Sequence, residues 1–183
     1  MDRLEIKRKF DGIRLFQIGG LRALHKPLVL LYALARCSRH EERLFCFGDV
    51  EEDLKQLLRD YFPSRNPRPQ FPFWRLQNDG LWEFSETGGH PLNLDPPVGF
   101  LRDPGTKAGF PPEIYVRLRE DISLLQELAA GLLSDYFPNS LHEDLLDAVG
   151  MVFTPIGRPR RDPKFREEVL RAYRYACGVC GYD

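Results

Sequence analysis

Nothing in these 183 residues approaches the roughly 20 consecutive apolar residues that a membrane-spanning helix needs. An apolar signal core is missing as well, because the opening Met1-Asp2-Arg3-Leu4-Glu5-Ile6-Lys7-Arg8-Lys9 is amphipathic. Both absences predict a cytoplasmic protein. Cysteine is scarce, four in all, and the four make no disulfide framework. Cys37 and Cys46 stand alone in apolar surroundings, while Cys177 and Cys180 have the spacing of metal ligands. No Gly-rich phosphate loop, Ser/His/Asp set or catalytically spaced carboxylate pair is present, so no catalysis is expected from this chain itself. Net charge is nearly absent too, at −1.

What the chain does have is a composition for folding: 43% hydrophobic and 12% aromatic residues, enough for one core or a core with an appendage. Its near-neutral charge hides an asymmetry. Residues 1–40 hold nine lysines and arginines against three acids, and residues 65–75 hold three arginines and no acid. Acidic residues gather in stretches 49–60 and 113–147. Basic segments in a neutral chain fit a one-faced polyanion binder, and equally fit ordinary solvated faces.

Along the chain, residues 2–10 predict a short helix interrupted near Gly12, and Gly19-Gly20 marks a break. Pro27 suits the first turn of a helix whose Leu28-Val29-Leu30-Leu31-Tyr32-Ala33-Leu34-Ala35 is apolar nearly all round, the pattern of a buried central helix. Leu44-Phe45-Cys46-Phe47 is strand-like. Asp49 with Glu52 predicts a capping-box-like start to a helix that runs to Tyr61 and stops at Pro63, with residues 63–72 extended beyond it. Phe73-Trp74-Arg75-Leu76 and Leu81-Trp82-Glu83-Phe84 around Gln77-Asn78-Asp79-Gly80 read as a β-hairpin with the two tryptophans packed in it. Helix, short strand, helix and hairpin give a mostly α fold with a small β-hairpin, an α+β class resembling a winged helix-turn-helix with additional helices. Residues 85–111 read as loop, 112–136 as one long helix and 141–149 as a shorter one. The near-identical Leu57-Leu58-Arg59-Asp60-Tyr61-Phe62-Pro63 and Leu132-Leu133-Ser134-Asp135-Tyr136-Phe137-Pro138 are read as shared helix-termination chemistry rather than a repeat. Residues 154–163, with Arg158, Arg160 and Arg161, read as a basic linker, and a helix over 164–175 leads to the last cysteines.

Cys177-Gly178-Val179-Cys180 is half of a tetrahedral thiolate site, a zinc knuckle lacking its second ligand pair. The expectation is therefore a fragment that stops where a metal-dependent domain begins: residues 1–153 as the functional domain, 154–163 as linker and 164–183 as the start of the next.

Several segments together resemble a known family. His25-Lys26-Pro27-Leu28-Val29-Leu30-Leu31, Phe71-Pro72-Phe73-Trp74-Arg75-Leu76, Asp79-Gly80-Leu81-Trp82 and Ala172-Tyr173 followed by Cys177-Gly178-Val179-Cys180-Gly181 are similar to bacterial HNH restriction endonucleases with an N-terminal sulfur-binding domain. That domain recognises phosphorothioate-modified DNA. The resemblance implies double-stranded DNA carrying a phosphorothioate linkage as partner and type IV restriction as setting. It implies no cofactor for this chain, and zinc plus a catalytic divalent metal for the HNH part, whose histidine-rich core is absent here. Phe62-Pro63 fits the aromatic-proline pair of the family's sulfur pocket, whereas Ser64-Arg65-Asn66 falls in variable territory.

Replacing a non-bridging oxygen by sulfur changes size and hydration more than charge. A sulfur-preferring site needs an apolar dimple ringed by cations and donors. Oxygen stripped of water in such a dimple costs about 1–3 kcal/mol, whereas sulfur gains on the order of a buried methylene, ~1 kcal/mol. The expected pocket is Phe62, Pro63, Asn66 and His25. Lys26, Arg65, Arg68 and Arg75 are expected on phosphates, with Ser64 beside them and with Gln77 and Asn78 reaching base edges from the hairpin tip. Each has a plainer role: His25 as a helix cap or packing residue, Phe62-Pro63 as a helix stop, Arg75 stacked on Trp74 or Trp82. His90 reads as a loop histidine. Two other functions stay open, a reader of another modification such as a methylated base, and a winged-helix protein-interaction module binding an acidic partner.

Overall fold

Helix α2 (His25–Ser38) is the centre of the molecule, and the reason lies in its sequence. Leu28, Leu30, Leu31, Leu34 and Ala35 are at most 1% exposed, so the apolar run is covered on every side. Each such leucine contributes about 2 kcal/mol of burial. The helices Phe47–Tyr61, Gln70–Arg75, Pro112–Glu120, Ile122–Tyr136 and His142–Val149 all pack on it.

The computed structural model describes residues 1–15, 17–18, 21–22, 24–62 and 67–151. They belong to the compact unit Met1–Val152; a second unit, Phe153–Asp183, lies outside the described residues, and with it the expected linker, the helix over 164–175 and both Cys177 and Cys180. Helix α1 (Arg3–Asp11) starts on a full capping box: the Asp2 side chain accepts from Glu5 N–H and Glu5 reaches back to Asp2. A two-residue ribbon, β1 (Gln17–Ile18) with β2 (Leu21–Arg22), leads to α2. Then come β3 (Phe45–Cys46) and α3 (Phe47–Tyr61). Asp49 lies inside the first turn of α3, and Cys46 is the N-cap without a side-chain bond, so the expected Asp49–Glu52 cap is not formed. Glu51, buried on α3, is clasped by Arg102 at 2.6 and 2.7 Å and by Lys55 at 3.0 Å. The Arg102 guanidinium, against the opposing effect of burial, holds the Glu51 carboxyl down at about 2.

The expected hairpin is the largest departure. Residues 70–79 are helical: α4 (Gln70–Arg75) continues into a 3-10 turn (Leu76–Asp79) that stops at Gly80 in the left-handed region, φ 67°. The segment expected to be extended thus already turns helical at Gln70. An Asn-Asp-Gly string serves a helix stop as well as a hairpin turn, because both need a positive φ at the glycine. Phe73, Trp74 and Leu76 are each 0% exposed, and burying all three selects the helical alternative. The hairpin on which the winged-helix resemblance rested is absent.

Strand β4 (Glu83–Phe84) instead joins a three-stranded antiparallel sheet of order β3-β5-β4, with β5 (Lys107–Gly109) in the middle. Gly109 is required there, since a Cβ would overlap the Arg43 carbonyl. Arg43 bridges the sheet by pairing with Glu83 and donating to the Phe110 carbonyl at 2.9 Å. Trp82 meets Phe45, Phe73 and Phe110 edge-on, while Trp74 rests on Phe84 and Phe100. The two tryptophans are both core, each with its own neighbours.

Between β4 and β5 a short α5 (Val98–Leu101) breaks the expected loop. The expected long helix is two, α6 (Pro112–Glu120) and α7 (Ile122–Tyr136). Asp121 separates them, ending one and capping the next through Leu124 N–H at 3.0 Å. Arg3 binds Asp121 at 2.9 Å and Glu127 at 2.6 Å, fastening α1 to this joint. A 3-10 turn (Asn139–Leu141) and α8 (His142–Val149) complete a mostly helical α+β fold. Among the described residues no helix is long and apolar enough to cross a membrane.

Candidate nucleic-acid interface

Two helix termini meet where the sequence placed the sulfur pocket. His25 opens α2, and Phe62 follows the last residue of α3. Their rings meet at 4.2 Å between centroids, tilted by 54°. His25 does not cap its helix, since Leu24 is the N-cap and no side chain bonds there. Phe62 does end its own helix: it turns extended, φ −137° and ψ 120°, while its N–H still reaches the Leu58 carbonyl at 3.1 Å. A residue before proline is driven into that region. Phe62 therefore stops the helix and presents its ring to His25 at once. Both side chains are half-buried. Burial lowers the His25 pKa, so at neutral pH the pair is an uncharged, polarisable surface with one imidazole N–H. Pro63, Ser64, Arg65 and Asn66 lie outside the described residues.

Lys26 is next to this pair but is not a free cation. Its Nζ lies 2.5 Å from Asp79 Oδ2, with side-chain exposures of 15% and 1%. The 3-10 turn that replaced the hairpin thus supplies the counter-ion of the first turn of α2.

A second patch lies on α4. Phe71 is flanked by Arg68 at 5.8 Å and Arg75 at 5.2 Å from its ring centre. Arg75 is helical rather than mid-strand and stacks on Phe71 rather than on either tryptophan. It also grips Asp95 with two hydrogen bonds of 2.8 and 2.5 Å, which raise its pKa. Asp95 belongs to a loop laid over α4, where Trp74 Nε1 donates to the Leu94 carbonyl at 2.8 Å and Asn78 Nδ2 donates to the Leu92 carbonyl at 3.4 Å. Gln77 Nε2 donates to the Trp74 carbonyl at 2.8 Å. Gln77 and Asn78 therefore sit on a helical turn, each bonded to a backbone carbonyl, not on a hairpin tip. His90, in the loop as expected, rests on Phe100 at 4.7 Å.

Hollows of about 190 Å³ between α1 and α7 and about 290 Å³ beside β3 contain none of these residues. A shallow surface of ring faces and guanidinium groups suits a backbone group better than a deep cavity does. Sequence reasoning missed Asp79, Asp95 and Phe71 as site neighbours. Phe71 had a signal, an aromatic between two arginines at helical spacing; Asp79 and Asp95 had none short of the fold.

The family model of the ScoMcrA-like DNA sulfur-binding domain matches residues 4–154. The chain belongs to that family. The fold is also that of the sulfur-binding domain of ScoMcrA complexed with phosphorothioated DNA, at TM-score 0.69 and 24% identity, covering 79% of this chain and 94% of that one. The corresponding domain of SprMcrA, likewise complexed with phosphorothioated DNA, gives TM-score 0.69 at 22% identity over 82% of this chain and 95% of that one. The type IV phosphorothioation-dependent restriction endonuclease ScoMcrA matches at TM-score 0.64 and 24% identity, with 91% of this chain covering 34% of that one. No curated protein matches.

Proposed function

We propose that this chain binds double-stranded DNA carrying a phosphorothioate linkage and seats the sulfur against the Phe62–His25 ring pair. The contact of those rings at 4.2 Å supports the reading, because it makes a neutral, largely apolar surface where the ends of α2 and α3 meet, within a sulfur-binding-domain family. Pro63 and Asn66 complete the pocket. Lys26, Ser64, Arg65, Arg68 and Arg75 hold backbone phosphates, and Gln77 and Asn78 approach base edges from their helical turn. Arg75 exchanges Asp95 for a phosphate when it does so, since one guanidinium fork fits either acid.

The order of parts is a sulfur-reading domain over residues 1–153, a basic linker over 154–163 and the start of an HNH nuclease domain over 164–183. Cys177 and Cys180 supply two of four zinc ligands in that nuclease, which also uses a catalytic divalent metal. The nuclease, of type IV restriction and cytoplasmic, cuts what the reader marks. A methylated-base reader finds less support. Trp74 and Trp82 are 0% and 3% exposed, and their rings are committed to the core rather than to a cage for a flipped base.

The test is a titration of the chain with two matched duplexes at physiological salt, one with a single Rp phosphorothioate and one unmodified. Selective binding of the first is the expected result. Equal binding would leave a generic basic DNA binder, and no binding to either would favour a protein partner.

A further inference from the structure

The turn at Asp79 and Gly80 ties the end of α1 and the segment at Arg14 to the first turn of α2. Asp79 has a side chain 1% exposed, a burial that a carboxylate tolerates only with partners. It accepts from Lys26 Nζ at 2.5 Å and from the Arg14 backbone N–H at 3.2 Å. The Gly80 carbonyl accepts from Lys9 Nζ at 3.3 Å. Gly80 has φ 67°, so the turn favours glycine, and a Cβ there would come within 2.7 Å of that ammonium and displace it. Lys26 is consequently held against Asp79. An ammonium has three donors; Asp79 takes one, fixes the direction of the others and offsets the charge.

We propose that Asp79 is a specificity-determining residue of the sulfur-reading surface: by tethering and neutralising Lys26 it withholds a mobile cation from unmodified DNA. The proposal rests on the reading of the site given above. Attraction between a lysine and a phosphate is almost blind to sulfur, whose substitution changes hydration more than charge. A lysine free on its four-carbon stem follows a phosphate in any register and releases counterions wherever it lands. A tethered lysine serves only a phosphate that arrives where it points. Generic binding, which samples every register, therefore loses more from the tether than does the single register in which sulfur meets Phe62 and His25.

Asp79→Asn keeps the shape and the acceptor for Arg14 N–H while removing the charge. The full chain is titrated with phosphorothioate and unmodified duplexes over a range of salt, after thermal melting has confirmed folding. The variant should bind unmodified DNA more tightly, steepen the salt slope by about 0.9, as one added phosphate contact does, and lower the selection ratio several-fold. Adding Lys26→Met to the variant should return the slope to its original value. Parallel loss of affinity for both duplexes with slope and ratio unchanged would overturn the proposal, as would a steep slope that survives Lys26→Met. Lys26→Met alone decides the matter if Asp79→Asn does not fold. It should weaken phosphorothioate binding without making the slope on unmodified DNA shallower; a shallower slope would show Lys26 already free and refute the tether. A parent chain that binds both duplexes equally removes the sulfur reading, yet the slopes on unmodified DNA still judge Asp79.

Discussion

The chain ends two of its helices with almost the same seven residues and puts the two endings to different uses. After α3 and after α7, the phenylalanine turns extended and its N–H closes the last helical bond, from Phe62 to Leu58 and from Phe137 to Leu133. Each meets a histidine. At the second ending Phe137 is 5% exposed, and His142 Nε2 lies 2.9 Å from the Phe137 carbonyl. A carbonyl only accepts, so that nitrogen carries the proton and the histidine closes the backbone of the turn. At the first ending the ring itself is left half-exposed and in contact with His25. Identical local chemistry sets the backbone in both places; what lies beside it decides whether the ring is core or surface.

Truncating the rings is the strongest way to break this comparison. Phe137→Ala should destabilise the fold by about 3–5 kcal/mol, the usual cost of emptying a buried phenylalanine site. Selection between the two duplexes by the molecules that remain folded should be unchanged. Denaturant unfolding followed by binding at low temperature reads both quantities. Phe62→Ala should cost only about 1 kcal/mol of stability, in keeping with a half-buried ring, and should lower phosphorothioate selection about tenfold, equivalent to about 1.4 kcal/mol. Equal losses of stability in the two variants would erase the distinction between core and surface endings.

A smaller effect sharpens it. Burial lowers the His25 pKa below its usual 6.5, so the unfolded chain binds the proton more readily than the folded one. The stability contributed by neutral His25 is therefore complete above pH 6.5 and declines as the pH falls from there through the folded value. His25→Gln should flatten stability over that window. A slope that persists in the variant would assign the effect to another group.

Much of this architecture was legible from residues alone, and the failures have physical causes. The apolar run from Leu28 to Ala35 could only be a central helix, and α3 ends at Tyr61 as its Phe62-Pro63 signal requires. Gly80 misled because one left-handed glycine satisfies a hairpin turn and a helix stop equally. Only the burial of Phe73, Trp74 and Leu76 separates them, and burial belongs to the tertiary structure. The break at Asp121 was hidden by an apolar period that continues across it. Strand β5, Lys107-Ala108-Gly109, has almost no strand propensity and owes its place to the close approach that Gly109 permits. At the site, His25 and Phe62 were named from a resemblance, but the partner of Lys26 stands 53 residues along the chain at Asp79, where no local rule points to it.

The strand order β3-β5-β4 also sets a timetable. The middle strand is the last of the three to leave the ribosome, so Phe45 must wait for Ala108 before it has a strand partner, and Phe84 waits for the same residue. Until then both strands stay unpaired, and the Trp82 ring lacks its edge-on neighbour Phe110. During synthesis the chain therefore carries two unpaired strands from residue 84 until β5 emerges, a state open to wrong pairing.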